Sequence, residues 1–379
     1  MKRIILPILL LIALIFLSQT LPIVSTALAK RLDLPDLVEA MYYDKLDGKQ
    51  VRCNLCPRYC IIPNKKKGFC RARENRDGVL YSLVYGKPCA IHADPIEKKP
   101  LYHVLPGTKS FSIATAGCNL ACKFCQNWQI SQASPEDVPY DQLAPDDLVR
   151  VAIANKCPSI AYTYTEPTVF YEYMYDTAKI ARELGVLNVM HSAGYINEEP
   201  LRQLCKYLDA ANIDLKGSDK FYNDLTLGRR DDVLRTLKIL KEEGVWTEIT
   251  YLLIPTLNDD PEYIKETSMW IKENLGPDTP LHLSRFWPTY KLQIISPTPV
   301  ETLEKAANIA MAAGLRYVYI GNIRGNKGGI THCPHCDKPI VKRIGYNVIE
   351  NNIKEGKCGF CAEKIAGIWN VEDKSDDKI

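Results

Sequence analysis

The placement of its cysteines restricts this chain more than any other feature. Of fourteen cysteines in 379 residues, eleven fall into three clusters, 53/56/60/70, 118/122/125 and 333/336/358/361. Disulfide frameworks of that density belong to small secreted proteins, whereas a chain this long can bury a core of its own. The clusters therefore read as metal sites formed by local loops in a reducing compartment, and Cys89, Cys157 and Cys205 as small hydrophobes.

The middle cluster lies in Gly-Cys-Asn-Leu-Ala-Cys-Lys-Phe-Cys-Gln-Asn-Trp, residues 117–128, just after an apolar, strand-like run. Cys118, Cys122 and Cys125 stand at x3 then x2 spacing, with the aromatic Phe124 before the third. Three thiolates are one short of a closed zinc site or a fully ligated iron-sulfur cluster. They leave one iron of a 4Fe-4S cluster open to a further ligand.

Cys53, Cys56, Cys60 and Cys70 bring four thiolates into 18 residues punctuated by Pro57 and Gly68. They suit a zinc site or an auxiliary iron-sulfur cluster, with zinc favoured on spacing. Cys333-x2-Cys336 and Cys358-x2-Cys361 flank a hairpin-like stretch from Lys338 to Ile349, the zinc-ribbon or rubredoxin pattern. Zinc is favoured there too.

From Phe111 onward strand-like runs alternate with helical windows. The runs are 111–115, 160–164, 187–191, 211–215, 246–253, 281–286 and 317–320. Pro145–Asn155 opens with Pro-Asp-Asp, a good first turn, and Thr298–Ala313 carries an apolar stripe before Gly314. Near-continuous apolar strands joined by helices predict an α/β fold, a parallel sheet curved as a partial or full barrel. Residues 78–93 read as two short strands, a hairpin covering the sheet edge, and 94–103 as a loop.

Active groups in such barrels sit at the C-terminal ends of strands. Glu166, in Tyr-Thr-Glu-Pro, ends the second run, and Asp214 and Lys216 flank Leu215 so that both point to one side. Arg285 would suit a carboxylate. His191 and His282 lie nearby, where a satisfied core histidine is the favoured reading.

The cluster loop resembles the radical S-adenosylmethionine (SAM) signature. Several further elements are similar to the radical SAM member of the AmmeMemoRadiSam group, a branch related to the pyruvate formate-lyase activating enzymes. These are the Cys-x2-Cys-Pro-x2-Cys module, Asp94-Pro-Ile-Glu-Lys-Lys-Pro, Phe-Cys-Gln-Asn-Trp, Tyr-Thr-Glu-Pro, Asp-Leu-Lys and the cysteine ribbon. The resemblance spans roughly residues 37–370. It implies a 4Fe-4S cluster on Cys118, Cys122 and Cys125, with SAM chelating the open iron and cleaved reductively to a 5'-deoxyadenosyl radical. It also implies SAM contacts from Phe124, Glu166, Asp214, Lys216 and Arg285. The radical would take hydrogen from a substrate: a partner protein's glycine, another residue or a small molecule. A flavodoxin- or ferredoxin-like electron donor and Memo-like and AMMECR-like companions follow by the same association. A non-enzymatic iron-sulfur electron-transfer protein is the contrasting class.

Lys2-Arg3 precede an uncharged stretch, Ile4 to Ala29, longer than the roughly 20 residues that span a bilayer. The expectation is a membrane anchor with the catalytic body in the cytoplasm. Export, or a cytoplasmic protein starting at Met41, are the alternatives. A formal net charge of +3 carries no nucleic-acid footprint. The expected organisation is an anchor-like segment and linker (1–36), a four-cysteine module (37–105), a barrel (106–325), a ribbon (326–370) and a polar tail (371–379).

Overall fold

The computed structural model describes residue 35, residues 37–323 and residues 328–374. Its centre is an eight-stranded sheet of β1 (Ala90–Pro95), β2 (Lys109–Ala114), β3 (Ser159–Tyr162), β4 (Leu187–Ser192), β5 (Ala210–Asp214), β6 (Trp246–Leu253), β7 (Leu281–Arg285) and β8 (Val318–Gly321). Spatial order follows chain order from β1 to β8. β1 runs antiparallel to β2, and every later pair is parallel. The fold is thus α/β with a mostly parallel sheet, and the alternation read from the sequence is its basis.

Parallel neighbours need crossovers, and helices supply them: α1 (Pro145–Ala154), α2 (Tyr171–Glu183), α3 (Glu198–Cys205), α4 (Arg230–Glu242), α5 (Pro261–Asn274) and α6 (Val300–Ala312). α6 buries Leu303, Ala306, Ala307 and Ala310, one face at helical spacing. Asp260 caps α5, its Oδ1 accepting from Glu262 N at 2.9 Å and Tyr263 N at 3.1 Å. Because each strand pairs with its successor and crossovers share one hand, the winding never reverses and the sheet curls. β1 and β8 do not pair, yet Ala90 and His92 from β1 line the same cavity as Ile320 and Gly321 from β8. The result is an open, barrel-like winding.

Two small modules flank the sheet. In the N-terminal one, Val51–Cys53 pairs with Tyr43–Lys45 and Ile61–Ile62, and Val79–Ser82 with Val38–Glu39 and Arg73–Arg76. The two strands expected over 78–93 exist, but not as a hairpin with each other. The first joins this module, and the second is β1, which covers the β2 edge. After it, the expected loop holds one 3-10 turn, Ile96–Lys98. The C-terminal ribbon pairs Pro339–Ile344 with Asn347–Asn351 around Gly345, and Ile368 N donates to His103 O at 2.8 Å.

The membrane-anchor expectation is corrected. Among the described residues no helix is long and apolar enough to cross a membrane. Residues 4–29, on which that expectation rested, lie outside them, as does the boundary placed at 325/326.

Candidate functional site at the barrel mouth

A cavity of about 910 Å³ opens where the strands end, and Cys118, Cys122 and Cys125 all line it. The loop carrying them is held on several sides. Ala121 N and Lys123 N donate to Thr226 O and Leu225 O, both at 2.9 Å, and Lys291 N donates to Lys123 O at 2.9 Å. Thr165 Oγ1 donates to Thr115 O at 2.9 Å and Asn127 Nδ2 to Tyr164 O at 2.8 Å, tying the loop to the end of β3. Gly117, at φ +97°, is required here, because a Cβ would lie 2.4 Å from the Cys70 carbonyl oxygen.

Burial pushes the Cys118 thiol up and the Cys122 thiol to about 12, although Lys216 opposes the latter shift. A soft cation would displace their protons, so ligation here is proton-linked.

Asp214 is the hub of the facing wall. Its Oδ2 accepts from Lys216 Nζ at 2.6 Å, and its Oδ1 meets His191 Nε2 at 3.1 Å. Burial alone would raise its pKa, but the Lys216 ammonium and His191 hold the carboxyl well below the usual range. Leu215 between them is fully buried, as strand alternation requires. Phe124 packs on Phe221 at 5.5 Å and adds an apolar patch to the wall.

Glu166 also lines the cavity, but the fold already engages it. Oε1 accepts from Thr168 N at 3.2 Å, Thr168 Oγ1 at 2.8 Å and Ser192 Oγ at 2.6 Å, and Oε2 accepts from Ala193 N at 2.8 Å. It caps the turn Pro167–Phe170 and joins β3 to β4. One Oε2 lone pair is left for a ligand.

Arg285 is not brought to this wall. His282 and Ser284 line the cavity, so Arg285 has the opposite parity on β7. Its Nε donates to Thr298 O at 2.7 Å and its guanidinium lies 4.4 Å from the Trp287 ring centroid. His282 bonds Glu248 Oε2 at 2.6 Å inside the barrel.

Sequence reasoning missed the far wall. Lys99 is 1% exposed and lines the cavity, donating to Asp94 Oδ2 at 2.7 Å. Burial lowers its pKa to about 8. Lys98, Tyr164 and His92 stand beside it, and the ribbon contributes Arg343 and Tyr346. Asp94-Pro-Ile-Glu-Lys-Lys-Pro was the signal, since two lysines beside one aspartate in a loop have no periodic reason to be there.

A mostly parallel, singly wound sheet with three thiols at the mouth is the architecture of a radical SAM protein, and the chain belongs to the radical SAM superfamily. Residues 112–267 match the family model described as Radical SAM superfamily. The chain is 49% identical over 329 residues to the uncharacterized protein MJ0808 of Methanocaldococcus jannaschii, covering 86% of this chain and 98% of that one. It is 25% identical over 169 residues to the pyruvate formate-lyase-activating enzyme of Clostridium pasteurianum, 41% of this chain and 66% of that one. A radical SAM methyltransferase structure from Sphaerobacter thermophilus aligns with TM-score 0.46 at 15% identity, covering 79% of this chain and 80% of that one. The family implies a 4Fe-4S cluster and SAM, and the ribbon cysteines form a possible metal site.

Proposed function

We propose that Cys118, Cys122 and Cys125 hold a 4Fe-4S cluster whose open iron takes SAM, and that the rest of the cavity admits a substrate from which hydrogen is abstracted. When bound, the cluster supplies the electron that splits SAM to the 5'-deoxyadenosyl radical. The chain's own task is to bind, orient and keep out water. Lys216, Asp214 and His191 offer a cation, an anion and a ring nitrogen toward the carboxylate and ribose of SAM. Glu166 has one lone pair for its ammonium, and Phe124 supplies an apolar surface.

The observation that carries this reading is the convergence of the three thiols and the Asp214 hub on one cavity of about 910 Å³. Anaerobic reconstitution with iron, sulfide, SAM and dithionite should yield 5'-deoxyadenosine. Cys118→Ala should lose the cluster and the cleavage together, and full cleavage by that variant overturns the assignment.

For the substrate, similarity to the pyruvate formate-lyase-activating enzyme supports a backbone glycine of a partner protein, with a flavodoxin- or ferredoxin-like electron donor. Lys98 and Lys99 on the far wall support a small anionic molecule instead. Stimulation of 5'-deoxyadenosine release by a glycyl-radical protein or by anionic small molecules separates the two.

A further inference from the structure

A second, smaller cavity lies where the N-terminal module meets the barrel. Cys53, Cys56, Cys60 and Cys70 all line it, together with Arg73. Leu55, Ile62 and Val169 add apolar wall, and Arg58, Asn119 and Thr168 join the lining. Arg73 is 1% exposed, and its Nη1 lies 3.7 Å from Cys53 Sγ. Among the described residues its buried Nε has no hydrogen-bond partner, although a buried N–H ordinarily finds an acceptor.

The ribbon provides the contrast. Its sulfurs pair at 3.6 Å (Cys333, Cys361) and 3.8 Å (Cys336, Cys358), and all four lie within 4.8 Å of one another. Zinc–sulfur bonds of about 2.3 Å in a tetrahedron put sulfurs about 3.8 Å apart, so the ribbon is closed around a point. Among the described residues this is the only group of three or more His, Cys, Asp or Glu ligand atoms that closes so tightly. The N-terminal thiols instead surround a space.

We infer that Cys53, Cys56, Cys60 and Cys70 hold a 4Fe-4S cluster rather than a single zinc ion. A cubane sets four irons and four sulfides between its thiolates, which would hold them apart, and its sulfides would offer acceptors to a buried guanidinium such as that of Arg73. With four thiolates every iron is ligated, so this centre has no position for SAM. It adjoins the three-thiol loop: the Cys70 carbonyl is what excludes a Cβ at Gly117, and Arg58 Nε donates to Asn119 O next to Cys118.

The full-length triple variant Cys118→Ala, Cys122→Ala, Cys125→Ala isolates this centre from the SAM site. Purified anaerobically after reconstitution, it should carry about four irons and about four acid-labile sulfides per chain, and show a 4Fe-4S electron paramagnetic resonance signal after dithionite. Zinc without iron in the triple variant, or no metal beyond the ribbon's, overturns the inference. Should the triple variant fold poorly, Cys53→Ser with Cys56→Ser in the otherwise native chain should lose about four irons and leave the ribbon metal in place. An unchanged iron count there refutes it equally. Failure of the SAM-cleavage reading would show instead as absent 5'-deoxyadenosine with these irons still present.

Discussion

At the ribbon, Cys333 and Cys361 face each other at 3.6 Å in a hairpin whose last ligand is exposed. At the N-terminal module, four thiols line a cavity partly walled by the barrel's own Thr168 and Val169. Yet each module sets a buried arginine–glutamate pair among its contacts with the barrel. Arg73 meets Glu172 in the first turn of α2, with side chains 1% and 3% exposed. Arg343 meets Glu97 at 3.5 Å, with neither side chain exposed. Cysteine count and spacing are thus poor guides to what a module encloses, and the depth and separation of the sulfurs are better ones.

The largest effect should come from Arg73→Ala. It leaves Glu172 with only Met41 N donating to Oε1, Oε2 having no partner among the described residues, and removes the cation beside the cysteines. Breaking a buried pair this way costs about 3–5 kcal/mol. Thermal melting with metal analysis should show lower stability and lost N-terminal metal while the ribbon metal stays; loss of both metals together would break the comparison.

Arg343→Ala should cost less, about 1.5–3 kcal/mol. Burial already raises the Glu97 carboxyl, so it can take a proton when its partner goes, and Gly107 N still donates to it at 2.9 Å. Ribbon protection from hydrogen exchange should fall, while protection at 51–62 should not.

Glu166→Gln tests the wall between the two cavities, since Glu166 lines the large one and Thr168, two residues on, lines the small one. The amide would oppose one of four donors, costing about 1–3 kcal/mol. A fall in melting temperature without any change in the ribbon is expected. Unchanged melting with weakened SAM binding would mean that the carboxylate serves the ligand alone.

The smallest expected effect is a pH slope from Lys99. Its pKa is lowered from 10.5 to about 8 by burial, the neighbouring Asp94 opposing the shift. Between those values the unfolded chain binds more protons than the folded one, so this lysine makes stability rise with pH across the window. Over that range the stability of the native chain relative to Lys99→Met should rise with pH, because every other titrating group is common to both.

Much of the barrel was legible because helix and strand periodicity are local. The run expected at 246–253 is β6 residue for residue, and Pro145–Asn155 differs from α1 only at its end. Alternation placed Asp214 and Lys216 on one side correctly, and the same rule, applied from His282, turns Arg285 away. Spacing alone marked the three cysteine clusters as candidate metal sites, and at the ribbon the fold brings all four sulfurs within 4.8 Å of one another.

What required the tertiary structure were contacts made across the chain. Arg73 lies 99 residues from Glu172, and Arg343 lies 246 from Glu97. Burial of each arginine, and of Lys99, depends on which surfaces meet. Nothing in a loop reading Asp-Pro-Ile-Glu-Lys-Lys-Pro says that its lysine will be 1% exposed on a cavity wall. The separation of four sulfurs likewise depends on how deeply strands and turns dock against the barrel. Periodicity and ligand spacing are properties of a segment, whereas burial, charge pairing and sulfur separation belong to the packed whole.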